Sequence, residues 1–296
     1  MKLCLGTVQF GLDYGIKRAG QPSQEDSLKM LDTATQNGIC SIDTAAAYGT
    51  AEEVIGVFLC KKPKIREKLE LTSKLASNAL IDIKEEHYAK TIRESLLQSL
   101  SRLKVNYLDN FLLHNPAHLN DEVIVNALFD LKKEGLTKNI GASIYTPEEA
   151  IKGIESNVDA LQIPYSVFDQ RMVETGVLTK AQNQNVLLYA RSAFTQGLML
   201  MDEKEVPTHL SKAKPIVRKY ARFCSDHGVT RLELALAFVN QQQSISFIVF
   251  GVDNIEQLIE IIDSCKKHIS VKVLKEAACM FSSLNESIIL PTHWRK

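Results

Sequence analysis

Four ionisable side chains close or follow successive apolar runs in the first half of the 296-residue chain. Asp43 ends Ile39-Cys-Ser-Ile42, Tyr48 comes five residues later, Lys74 ends Leu71-Thr-Ser73, and His114 ends Phe111-Leu-Leu113. A charge at the end of a buried run needs a partner or a task. A phenol ordinarily titrates near 10, a neighbouring ammonium favours its ionised form, and a carboxylate can hold that ammonium in place. A histidine beside them can hydrogen-bond a reacting oxygen and orient it. Together the four suit protonation of a carbonyl oxygen while hydride arrives at the carbon. Singly each has an ordinary structural reading: Asp43 as a cap or core carboxylate, Lys74 as an exposed strand end, His114 as a satisfied core histidine, Tyr48 as a turn aromatic. Their joint placement on neighbouring strand ends is what points to chemistry.

The elements that must position them alternate regularly. Short apolar runs read as buried strands at Leu3–Thr7, Ile39–Asp43, Leu69–Lys74, Tyr107–His114, Asn139–Ser143, Ala160–Gln162, Val186–Ala190 and Ser246–Phe250. Amphipathic stretches between them read as helices over 24–37, 51–60, 87–104, 122–134, 147–155, 171–183, 212–227 and 254–264. Such strand-then-helix repetition predicts a single (β/α)₈ TIM barrel over 1–296, with an additional C-terminal helix at Val271–Phe281. Caps support the helices: Ser23 before Glu25 and Asp26, Thr146 before Pro147-Glu148-Glu149, and the box Thr230-Arg-Leu-Glu233 opening a further helix. Ile92, Leu96, Leu100 and Leu103 form one stripe of the third helix. Leu200–Lys214 reads as a long surface loop, and the tail His293-Trp-Arg-Lys296 is consistent with packing or with leaning over a pocket. In a barrel, polar residues at the C-terminal strand ends face the active-site mouth.

Composition bounds the function. Lys and Arg total 35 against 35 Asp and Glu, which argues against a nucleic-acid or acidic-membrane partner. No apolar run approaches the ~18 residues of a membrane span, and Gln9 and Asp13 come too early for a signal-peptide core. Six scattered cysteines without a C-x-x-C pair read as free thiols of a cytoplasmic protein. Neither a G-x-G-x-x-G fingerprint nor a P-loop is present. Gly141-Ala-Ser143-Ile-Tyr145 lacks the last glycine of a nucleophile elbow. His114 and His118 have a metal-ligand spacing but no adjacent glutamate, so no metal is expected.

The ordered segments resemble an aldo-keto reductase. They run from Leu5-Gly-Thr7 through Ile42-Asp-Thr-Ala-Ala-Ala-Tyr-Gly49, Thr72-Ser-Lys74 and Tyr107-Leu-Asp-Asn-Phe-Leu-Leu-His114. They continue with Gly141-Ala-Ser143, Gln162-Ile-Pro-Tyr165, Ala190-Arg-Ser-Ala-Phe-Thr-Gln-Gly197 and Gly251 to Leu258. The resemblance implies an NAD(P)H-dependent reductase acting on a small-molecule aldehyde or ketone. It implies Tyr48 as proton donor, Lys74 as modulator of its pKa, Asp43 as the partner of that lysine, and His114 as the substrate-orienting group. Cofactor contacts implied are Thr7, Asp43, Ser143, Gln162, Arg191, Ser192, Phe194, Gly197, Gly251, Asp253 and Gln257. Ser143 and Gln162 match holders of the nicotinamide carboxamide, and Ser192, Phe194 and Gly197 match a pyrophosphate clasp.

Departures from that pattern matter. Ile144 stands where the family often has Asn, and Arg191 where many relatives place an aromatic under the nicotinamide. The resemblance favours NADP(H), but no basic pair for a 2′-phosphate occurs in Gly251-Val-Asp-Asn-Ile-Glu-Gln257, so NAD(H) stands as the alternative. The Tyr165-Ser-Val-Phe-Asp-Gln-Arg171 segment, with Val8-Gln-Phe-Gly11, is similar to that of bacterial members tied to surface-polysaccharide or sugar metabolism. Two other readings are a nucleotide-sensing regulatory subunit with weak or no turnover, and a Schiff-base lyase using Lys74. Oligomeric state is not legible.

Overall fold

The computed structural model describes residues 3–16 and 20–294. Eight parallel strands close into a barrel in chain order: β1 (Leu3–Gly6), β2 (Ser41–Asp43), β3 (Glu70–Leu75), β4 (Leu108–Leu113), β5 (Thr137–Ser143), β6 (Ala160–Pro164), β7 (Leu187–Arg191) and β8 (Ile245–Phe250), with β8 pairing back onto β1. Around them lie α1 (Gln24–Gln36), α2 (Ala51–Lys61), α3 (Tyr88–Leu103), α4 (Glu122–Lys133), α5 (Pro147–Glu155), α6 (Arg171–Glu174), α7 (Val177–Asn183), α8 (Lys214–Asp226), α9 (Arg231–Asn240) and α10 (Ile255–Ser264). Two further helices, α11 (Val271–Phe281) and α12 (Glu286–Ile289), and a 3₁₀ turn at Pro291–His293 follow. This is the (β/α)₈ barrel expected from the alternation, with the C-terminal helix at its expected bounds.

Period-two alternation decides which side chains fill the barrel. Cys4, Leu112, Ala160, Tyr189 and Phe247 make one interior cluster, with Tyr189 stacked on Phe247 at 5.1 Å. Towards the lower end, Asn110 Nδ2 donates to Thr72 Oγ1 (2.9 Å) and to the Tyr189 hydroxyl (2.9 Å), and Tyr189 donates to the Glu70 carboxylate. These bonds satisfy the polar groups that the barrel encloses. The outward-facing residues pack against the helices in a larger core that includes Leu5, Ile42, Leu71, Phe111, Ile140 and Leu161.

The caps form as their residue types require. Ser23 accepts from the Asp26 amide (3.1 Å), and capping boxes close at Thr146/Glu149 and Thr230/Glu233. Two expectations change and one open alternative is resolved. The stretch 171–183 is two helices, because Gly176 takes φ +75° between them and ends the first. Leu200–Lys214 is not a plain surface loop: short 3₁₀ turns at Glu203–Glu205 and Thr208–Ala213 bury Met201, Val206, Leu210 and Ala213. Their apolar spacing was the signal, masked by the acidic residues among them. The tail packs: Ile288 and Ile289 are buried and Trp294 lies against the main core. Arg295 and Lys296 lie outside the described residues.

Candidate active site

Neighbouring strands bring Asp43 and Lys74 together. Asp43 pairs in register with Thr72, two residues below Lys74 on β3. Lys74 Nζ then reaches Asp43 Oδ1 (2.7 Å), Asp43 Oδ2 (2.8 Å) and the Thr44 carbonyl (2.9 Å), all buried. An ammonium has three hydrogens, so this set uses them all. Gln162 Nε2 also donates to Asp43 Oδ1, joining β6 to the pair across the barrel. Thr7 differs from the cofactor contact expected of it. Fully buried, it donates from both its hydroxyl and its amide to the Asp43 carbonyl (3.0 Å each), so it fixes the Asp43 backbone and does not line the cleft.

Tyr48 sits on the turn between β2 and α2. Its amide donates to the Ala45 carbonyl (2.9 Å), and its own carbonyl accepts from the Ala51 amide (3.0 Å). Gly11 lies beneath this turn, where a Cβ would stand 1.8 Å from the Tyr48 carbonyl oxygen. The Tyr48 ring meets His114 edge-on at 5.7 Å between centroids and faces Lys74 Nζ at 5.1 Å. His114 stands one residue beyond β4, its amide held by the Leu75 carbonyl at 3.3 Å.

The electrostatics of the phenol are set mainly by its burial. Burial pushes the Tyr48 phenol well above its usual value, the Asp43 charge adds to that, and Arg191 works against it. Lys74 is not among these causes: its hydrogens go to the Asp43 carboxylate and the Thr44 carbonyl, which leaves no N–H for Tyr48. Burial, with the charges of Lys74 and Arg191, pushes the His114 imidazole down to about 3. His114 is therefore neutral, and its Nδ1 is buried without a partner.

Above these residues opens a cleft of about 430 Å³, within the usual size of a small-molecule site. Asp43, Tyr48, His114, Ser143, Gln162, Arg191, Ser192, Phe194, Gly197, Gly251, Asp253 and Gln257 all line it; Lys74 lies beneath. Ser143 and Gln162 are register partners on β5 and β6. After β7 the chain takes left-handed φ at Ser192 (+61°), Thr195 (+50°), Gln196 (+53°) and Gly197 (+89°), a costly run for three non-glycine residues. Arg191 does not lie open under the cleft. Its guanidinium stacks on Tyr145 (4.4 Å), and Nη2 donates to the Ile144 carbonyl (2.6 Å).

Further lining residues escaped the sequence reading: Gln9, Tyr14, Tyr145, Gln196 and Glu260. Tyr145 continues the alternation from Ser143, a signal that was available. Gln196 Nε2 donates to the Tyr14 hydroxyl (2.8 Å), linking the loops after β7 and β1. Nothing in the sequence pairs residues 182 positions apart.

The sequence pattern of the Aldo/keto reductase family matches residues 2–278. The chain belongs to the aldo-keto reductase family. This makes it a carbonyl-reducing oxidoreductase. The reductase is 26% identical to Protein tas of Escherichia coli K12, covering 93% of this chain and 92% of that one. It is 29% identical to the glyoxal reductase of Bacillus subtilis, covering 70% and 72%. Its fold superposes on the holo form of an aldo-keto reductase from Bacillus halodurans with a TM-score of 0.75, at 19% identity, covering 99% and 95%. All six cysteines of the reductase are free. Among its described residues, no helix is long and apolar enough to cross a membrane, and no group of three or more His, Cys, Asp or Glu could hold a metal ion.

Proposed function

We propose that this chain reduces an aldehyde or ketone to the alcohol, using a nicotinamide dinucleotide and taking the proton from Tyr48. The observation that carries this is the convergence of Tyr48 and His114, edge to face, over the buried Asp43–Lys74 pair at the floor of the cleft. The residues present fit a dinucleotide: Ser143 and Gln162 offer hydroxyl and amide groups at adjacent strand ends, and the left-handed turn Ser192–Gly197 borders the same cleft. Consecutive amides in such turns commonly form concavities for anions. When bound, the dinucleotide supplies the hydride.

The chain's own groups supply the rest. Neutral His114 donates a hydrogen bond to the carbonyl oxygen and polarises it. Tyr48 keeps its proton at neutral pH, as a phenol titrating near 10 does, and burial raises that value further. Transfer to the nascent alkoxide is still downhill, since an alkoxide is a stronger base than a phenolate. The Asp43–Lys74 pair fixes the floor on which Tyr48 rests, and Gln162 braces Asp43 from across the barrel.

The test is loss of reduced-nicotinamide absorbance with NADH and NADPH against glyoxal, methylglyoxal, simple ketones and aldose sugars. Tyr48→Phe should lower kcat by about 10²–10⁴ while dinucleotide affinity stays within twofold. Undiminished turnover by Tyr48→Phe would refute the proton-donor role.

A further inference from the structure

Arg191 is the one lysine or arginine among the described residues that line the cleft. The other described arginines each sit against a carboxylate, as Arg66 does at Asp109 (2.8 Å) and Arg171 at Asp169 (2.8 Å). Arg191 alone among them has no carboxylate partner. Its Nε is buried without a hydrogen-bond acceptor, and Nη1 has only a long contact to Ser192 Oγ (3.4 Å). Stacking on Tyr145 and the bond to the Ile144 carbonyl hold the guanidinium beside Ser143.

Register places this charge relative to the proposed ring site. Ser143 pairs with Gln162, and Arg191 pairs with Pro164 two residues further along β6. A ring held by Ser143 and Gln162 would share this end of the cleft with a permanent cation that has no carboxylate partner among the described residues. We propose that Arg191 sets the redox-state preference of the cleft, accepting the neutral reduced nicotinamide beside its guanidinium and repelling the pyridinium cation left when hydride departs. The inference rests on the dinucleotide reading above. Like charges that share a cleft shielded from bulk water repel more strongly than they do in water. The reach of this charge is already visible, since it opposes protonation of His114 and favours ionisation of Tyr48. The functional consequence is directional: reduced cofactor is retained, and oxidised cofactor leaves once the carbonyl has been reduced.

The test is equilibrium binding, by calorimetry, of the reduced dinucleotide, the oxidised dinucleotide and ADP-ribose, which lacks the ring. Wild type is compared with Arg191→Met and Arg191→Lys. The wild-type chain should bind the reduced form more tightly than the oxidised form. Arg191→Met should shrink that ratio by about tenfold, Arg191→Lys should preserve most of it, and ADP-ribose affinity should be equal in all three, which also reports intact folding. An unchanged ratio in Arg191→Met overturns the proposal. So does a parallel loss for all three ligands, which would assign the guanidinium to the pyrophosphate. Failure of wild type to bind either dinucleotide would instead sink the proposed function, and this inference with it.

Discussion

Lys74 Nζ stands 2.7 and 2.8 Å from the two carboxylate oxygens of Asp43 and spends its remaining hydrogen on the Thr44 carbonyl, at a position where the lysine is 1% exposed. A buried pair of this kind is costly to break from one side, because the survivor is an uncompensated charge. Asp43→Asn or Lys74→Met should each lower unfolding free energy by about 3–5 kcal/mol. The double variant Asp43→Leu/Lys74→Met should recover a large part of that loss and remain inactive. Urea unfolding with parallel turnover assays checks this. Additive losses in the double variant would show that the two residues do not act as a pair.

The pH dependence follows from His114 and Tyr48. The unfolded chain protonates residue 114 below about 6.5, whereas the folded chain resists until about 3. Acid therefore destabilises the fold through that interval, by ~2 kcal/mol at pH 5 from this residue alone. His114→Gln should lose less stability between pH 7 and 5 than wild type does. With the imidazole neutral and the phenol raised, kcat/KM should run flat from about pH 5 to 9. An inflection near 6.5 that vanishes in His114→Gln would contradict a neutral histidine.

The barrel was legible because eight apolar runs alternate with eight amphipathic ones, and parallel strands covered on both faces read as continuous hydrophobic stretches. The strand-end quartet was legible for the same reason: Asp43 and Lys74 interrupt such runs, and Tyr48 and His114 follow them. The sign of the Tyr48 shift was not. It depends first on how deeply the phenol is buried and then on its distance from Asp43, tertiary quantities that residue types do not encode. The direction of the Thr7 hydroxyl is not legible for a related cause, since a hydroxyl at a strand end points either into the cleft or, as here, onto a neighbouring strand's carbonyl. The Tyr14–Gln196 link joins two loops by tertiary folding alone.

Gly11 sets the height of the Tyr48 turn. A Cβ there would lie 1.8 Å from the Tyr48 carbonyl oxygen and 2.7 Å from the Thr50 and Ala51 amide nitrogens. Backbone cannot yield as a side-chain tip does, so Gly11→Ala must displace Tyr48. Misplacement by about 1 Å typically costs on the order of 10²-fold in rate. Gly11→Ala should show that loss in kcat with dinucleotide affinity nearly unchanged. Gly135→Ala is the control: φ is +75° with nothing within 4 Å of a Cβ. It should lose about 1 kcal/mol of stability and no activity. Equal activity in the two variants would remove Gly11 from the positioning of Tyr48.

We expect dinucleotide choice to turn on the wall of the cleft that follows β8. Gly251, Asp253, Gln257 and Glu260 line it, and no lysine or arginine stands among the described lining residues there. Gln257 Nε2 donates to Asp253 Oδ2 at 3.3 Å, which leaves the carboxylate charge in place. A ribose diol is a good partner for a carboxylate, whereas a 2′-phosphate placed there meets like charge. The resemblance to the family favours NADPH, but these side chains favour NADH. NADH should therefore give the lower KM, and Asp253→Asn with Glu260→Gln should improve kcat/KM for NADPH by about tenfold, a change of ~1.4 kcal/mol, leaving NADH within threefold. The preference should also narrow as salt rises, because screening weakens repulsion of the phosphate. A wild-type preference for NADPH that survives the double substitution would show that these carboxylates do not face the 2′ position.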